Sequence, residues 1–197
     1  MCTEPAPPAD SPKEKRPLYI YYCAPISHPA CTKLKVALGN AQNLGHTHVT
    51  LLMSSEGGLA YDGFALHAFI RSLSLQITVH NLSNVDSIAI APYLACSCRL
   101  ANPWASFLIH DFSFGQPQPV MARSQIEDHS LMFAAWRLKL KSLLKAHTQI
   151  TDATLSSLQL VDKAHIMGAP DALKEGIVHS IEEAKVPFGA EIFTIEF

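Results

Sequence analysis

Residues 48–58 read HVTLLMSSEGG, an apolar run, His48–Met53, that breaks off at Ser54-Ser55-Glu56-Gly57-Gly58. A short apolar run bounded by a glycine turn is the pattern of a buried strand. Beyond it, Tyr61–Leu73 places Phe64, Leu66, Ala68 and Phe69 at helical spacing. Strand, glycine turn and helix therefore follow one another directly, which is the unit of an α/β fold. The same alternation extends in both directions. Upstream, Leu18–Ala24 (LYIYYCA) is a strand and Pro29–Leu44 a helix, with Leu34, Ala37, Leu38 and Ala41 on one face. Downstream come strands at Gln76–His80 and Ala105–His110, a helix at Ser87–Cys98 and a long amphipathic helix at Ser124–His147. Helices near Thr151–Leu160 and Pro170–Lys174 and a strand at Gly176–Ile181 complete the pattern. Strands alternating with helices predict a largely parallel sheet flanked by helices, whose ligands gather where strands run out into helices.

The composition fits one folded unit. The chain has 197 residues, of which 48% are hydrophobic and 16% charged. That apolar fraction excludes a disordered chain. Residues 1–17 differ: they hold five prolines and few large apolar side chains, and are expected to form a mobile tail ahead of a single domain over 18–197. Fifteen Lys+Arg against seventeen Asp+Glu argue against a nucleic-acid binder, which carries a basic surplus. The cysteines, Cys2, Cys23, Cys31, Cys96 and Cys98, are odd in number and show no paired framework. No apolar run is long enough to span a bilayer, and no signal-peptide pattern opens the chain, so a cytoplasmic protein is expected. His46/His48 and Cys96/Cys98 are spaced too closely for ordinary zinc ligands, and no metal or cofactor is expected.

Candidate chemistry lies at the strand-to-helix edge. Paired glycines at 57 and 58 free the backbone to present N–H donors, which can hold an oxyanion. Ser87 falls at a helix start, beside unpaired amides and the positive helix end, in the geometry of a strand–turn–helix nucleophile. The competing reading is that Asp86 or Ser87 is an N-cap. His110 ends a strand at the same edge, where its imidazole could take a proton from a serine.

The order and spacing of these features resemble the proteolytic subunit of the Clp protease, in the Clp protease/crotonase superfamily. Ser55-Glu56-Gly57-Gly58 resembles the family's S-P-G-G turn, and Asn84-Val85-Asp86-Ser87-Ile88 its nucleophile segment G-x-A-A-S-M. Pro103–His110 (PWASFLIH) resembles the segment that carries its base, and Arg99-Leu100-Ala101-Asn102-Pro103 its Arg-x-x-x-Pro stretch. Ala169–Ile181 resembles a later conserved segment. The resemblance spans Leu18 to Ile181 and implies a Clp protease/crotonase-like fold of repeated ββα units. It implies Ser87 as nucleophile, His110 as base, and the amides of Gly58 and Ile88 as the oxyanion hole. It also implies a homo-oligomer, with ring assembly possible and the long helix as the handle through which two rings stack, an ATPase unfoldase partner and unfolded polypeptide as substrate. The apolar residues Leu131–Leu140 exceed one core-facing stripe, in keeping with self-association. No phosphate-binding G-x-x-x-x-G-K-[ST] is present, so ATP would belong to the partner.

The sequence departs from the family in places that matter. Glu56 stands for a proline, Asn84 for a glycine and Asp86 for an alanine, making the turns more crowded and acidic. Pro92 is expected to bend the helix after Ser87. The position of the family's orienting aspartate falls on Ala164, with Asp162 two residues earlier as the nearest carboxylate. Asp111 should point away from His110 across the strand. A serine–histidine dyad, a displaced Asp162 and a weakened enzyme are all open at this point. The functional expectation is a serine endopeptidase working through an acyl-enzyme on Ser87. The alternatives are a catalytically impaired structural subunit and, less favoured, a crotonase-like acyl-CoA enzyme.

Overall fold

The structure, a computed structural model, describes residues 16–113 and 120–196. Most of the proline-rich segment expected to be a tail lies outside the described residues, as does residue 197.

The strands are β1 (Leu18–Cys23), β2 (His48–Ser55), β3 (Gln76–Val85), β4 (Cys98–Ala101), β5 (Ser106–Ile109), β6 (His165–Gly168), β7 (Ser180–Ile181) and β8 (Glu191–Glu196). The helices are α1 (His28–Asn43), α2 (Ala60–Ser72), α3 (Ile90–Ala95), α4 (Arg123–His147), α5 (Asp152–Ser157) and α6 (Ala169–Lys174), with a 3₁₀ turn at Ser87–Ala89. The main strand order is β6-β5-β3-β2-β1-β8, with β4 also on β3 and β7 on β4. Every pairing is parallel except β5 with β6. The expected α/β architecture is thus present.

Burial explains which segments became which elements. In β2, Val49, Leu51, Leu52 and Met53 are all buried, as a strand covered on both faces requires. In α1, Ala30, Cys31, Leu34, Leu38 and Ala41 form one buried stripe, and Pro29 sits in the first turn, where a missing N–H costs nothing. In α2 the stripe is Ala60, Gly63, Leu66 and Ile70. A Cβ on Gly63 would lie 2.4 Å from Cγ1 of Ile88, so the glycine lets α2 close onto the turn that follows β3. One core cluster runs from Ile20 to Ile195.

Several boundaries differ from expectation. β3 continues through Asn81–Val85, where polar residues suggested a loop, because its far end finds a second partner in β5. The helix expected over Ser87–Cys98 is a 3₁₀ turn followed by the six residues of α3. Pro92 lies in the first turn of α3, where no intrahelical bond is lost. Most of Gly176–Ile181 is loop, with only Ser180–Ile181 in a strand. β4, β6 and β8 were not anticipated. In α4 only Leu140 and Leu144 are buried, while Ile126, Leu131 and Leu138 are more than half exposed.

Candidate active site

β2 and β3 run parallel in steady register from His48↔Gln76 to Met53↔Asn81, then slip so that Ser55 faces Val85. The slip frees β3 to leave its neighbour and reach β5 at the single pair Asn84↔Ser106. Irregularities of this kind re-aim side chains at the end of a strand. Two residues beyond the end of β3 at Val85 the chain turns sharply at Ser87, whose φ is +55°. A non-glycine residue in this left-handed region is uncommon and strained, and a nucleophile on a strand-to-helix turn is one place where such strain is kept.

The glycine turn packs directly against this serine. Gly57 and Gly58 have φ of +90° and +146°. A Cβ on Gly57 would lie 2.6 Å from Cβ of Ser87 and 2.8 Å from the Asp86 carbonyl oxygen, so no other residue fits. The Gly57 N–H donates to Oγ of Ser55 at 3.3 Å, a restraint supplied where the family has proline. The Ile26 N–H donates to the Gly57 carbonyl and the Leu59 N–H to the Ile26 carbonyl, each at 2.7 Å. These bonds bracket Gly58 and leave its own N–H without a backbone acceptor among the described residues. Ile88 is second in the 3₁₀ turn, where first-turn amides have no intrahelical acceptor, and its side chain is buried.

His110 follows the last residue of β5. Its Nδ1–H donates to the backbone carbonyl of Asp111, which can only accept. That bond fixes the tautomer and leaves the lone pair on Nε2. The Asp111 carboxylate is occupied elsewhere: Oδ1 accepts the Phe112 N–H at 2.8 Å and lies 3.5 Å from Nε of Arg137.

Ser87, His110 and Gly58 line one cavity of about 740 Å³. Glu56 stands on its wall, and Phe112, Met132, Phe133 and Trp136 form an apolar side. Trp136 meets Tyr61, Phe112 and Phe133 with ring centroids 5.3, 5.4 and 5.7 Å away. Phe112 and Trp136 were not singled out as site residues in the sequence. The only trace of Trp136's role is the surplus of apolar residues on α4.

Asp162 is not on the cavity wall. Its carboxylate accepts two hydrogen bonds from Nζ of Lys141, at 2.9 and 2.7 Å. Ala164, at the family's aspartate position, is exposed. The structure brings Ser87, His110 and Gly58 together and places Asp162 with Lys141. Asp86 caps nothing, as its side chain makes no bond to the turn it precedes. Its carboxylate instead accepts the Leu108 N–H at 3.0 Å and Nδ2 of Asn84 at 2.8 Å.

Comparison with known proteins agrees with this fold. No curated protein matches the sequence. Among solved structures, a ClpP1 mutant from Listeria monocytogenes superposes with a TM-score of 0.74 at 20% identity, covering 85% of this chain and 92% of that one. The family model described as Clp protease matches residues 20–185. With that match reaching from β1 past β7 and taking in both Ser87 and His110, the chain belongs to the Clp protease family.

Proposed function

We propose that this chain is a serine endopeptidase that cleaves unfolded polypeptides. The observation that carries the reading is a strained Ser87 sharing a cavity with His110 and the open amide of Gly58. His110 Nε2 removes the Ser87 proton as Oγ attacks a peptide carbonyl. The amides of Gly58 and Ile88 stabilise the oxyanion, the protonated imidazole gives its proton to the leaving amine, and water then hydrolyses the acyl-enzyme. A backbone carbonyl orients His110 where other enzymes use a carboxylate, so the pair works as a dyad. Loss of the carboxylate elsewhere costs about 10⁴ in rate without abolishing catalysis.

The chain acts as a homo-oligomer that associates through the exposed apolar face of α4, with polypeptide delivered by a separate ATPase. No helix among the described residues is long and apolar enough to cross a membrane. A fluorophosphonate probe tests the reading. Labelling of the native protein that disappears in S87A and H110A supports it, and absence of labelling overturns it. One observation favours a second reading, an impaired subunit that co-assembles with an active one: no carboxylate among the described residues holds His110. That reading predicts no labelling of the native chain. A crotonase-like acyl-CoA enzyme would instead turn over a thioester.

A further inference from the structure

Resting on the hydrolase reading, we infer that Asp86, braced by Asn84 and Ser54, is a positioning residue that holds the strand of the base in register with the turn of the nucleophile. β3 and β5 share only the pair Asn84↔Ser106. A parallel ladder continued from it would set residue 86 beside residue 108, but β3 ends at Val85, one residue short of that rung. The Asp86 carboxylate fills that rung, its Oδ1 accepting the Leu108 N–H at 3.0 Å. Its other oxygen accepts Nδ2 of Asn84 at 2.8 Å, and Oδ1 of Asn84 accepts the Ser54 hydroxyl at 2.8 Å. One chain of bonds therefore crosses from the end of β2, through β3, to β5.

The ends of this chain are catalytic neighbours. Asp86 immediately precedes Ser87, and Leu108 lies two residues before His110. With His110 oriented, among the described residues, by the adjoining carbonyl, the approach of Nε2 to Oγ is set by how the two backbones lie. The clamp fixes that relation. It also gives a reason for the crowded, acidic turn, since a glycine at 84 and an alanine at 86 could not span the gap. A misplacement of about 1 Å in such a pair can cost 10²-fold in rate.

The polarity of the chain supplies the test, because a hydroxyl both donates and accepts. N84D sets two carboxylates together and breaks the brace. N84D/D86N restores the pair with its polarity reversed: the amide at 86 donates to the carboxylate at 84 and still offers an oxygen to Leu108. Labelling of Ser87 by the fluorophosphonate is followed to saturation, with thermal melts to count only folded protein. D86A and N84D are expected to label about 10²-fold more slowly at saturating probe, with the half-saturating concentration within twofold of the native value. N84D/D86N is expected to recover to within about fivefold of native. Single variants as fast as native, or a double variant slower than either single, overturn the clamp and leave the hydrolase standing. If D86A does not fold, N84D against the double variant decides. A native chain that does not label, or a label that survives S87A, overturns the hydrolase reading and the clamp's catalytic role with it.

Discussion

Twelve positions separate Ser87 from Arg99, and the two regions solve opposite problems. Arg99 is 5% exposed, and its guanidinium is spent on carbonyls: Ile177 at 2.8 Å, His147 at 2.7 Å, Gly176 at 3.0 Å and Cys96 at 3.5 Å. His147 is the last residue of α4, Cys96 caps α3, and Gly176 follows the cap of α6. One cation therefore gathers the negative ends of three helices, which serve as its counter-charge. Around Ser87 the balance is reversed. The backbone is held at a strained angle, the amides of Gly58 and Ile88 have no backbone acceptor among the described residues, and the surroundings are an open cavity. Groups left unsatisfied cost stability and can be tolerated where a substrate will use them. The hub holds the frame, and the rim spends some of the stability the frame provides.

Four experiments would sharpen or break this contrast. The largest effect is expected at the hub. R99M strips four carbonyls, two of them buried, of their donor, and chemical denaturation should register a loss of about 3–5 kcal/mol. A loss under 1 kcal/mol would show that the helix ends do not need the cation. At the rim the sign should reverse: S87G removes the nucleophile but relieves the left-handed strain, so labelling vanishes while stability rises by about 1 kcal/mol. A fall in stability would mean that the turn is relaxed as it stands.

Next comes pH. His67 and His147 meet with tilted rings, centroids 5.3 Å apart, and both have their pKa lowered below 6.5, first by burial and then by neighbouring positive charge. His179, beside Arg99, is lowered for the same reasons. A lowered histidine pKa means that the unfolded chain takes up protons the folded chain refuses. Stability is therefore full above pH 6.5 and falls as pH drops below it. Melting temperatures from pH 8 to 5 should decline, and H67Q should flatten the decline. The smallest effect is expected for D162N: loss of the exposed pair with Lys141 should change labelling of Ser87 by less than about threefold. A change of 10³-fold or more would restore this carboxylate to the catalytic set.

The contrast also explains what could be read in the chain. Residues 48–58 announce strand, turn and helix because their pattern is local. Ser87 and His110 stand out because they occupy strand ends. β4 was missed because CRLA has a charged residue at its centre, and only the folded chain shows Arg99 buried among helix ends. Asn81–Val85 looks like a loop because Asn and Ser are turn formers, and its strand character depends on partners in β2, β4 and β5, all at least twenty residues away. β8 alternates as EIFTIE, yet it lies beyond a proline- and glycine-containing stretch that carries no strand signal of its own. Asn84 and Asp86 read as intrusions in the nucleophile turn because a side chain's partner across a gap leaves no periodicity in sequence.

The apolar side of the catalytic hollow comes from the part of α4 that the core grips least. Met132, Phe133 and Trp136 all precede Leu140 and Leu144, the two residues that anchor this 25-residue rod. The hollow beside Ser87 is thus walled on one side by residues of a helix whose fully buried side chains lie farther along it.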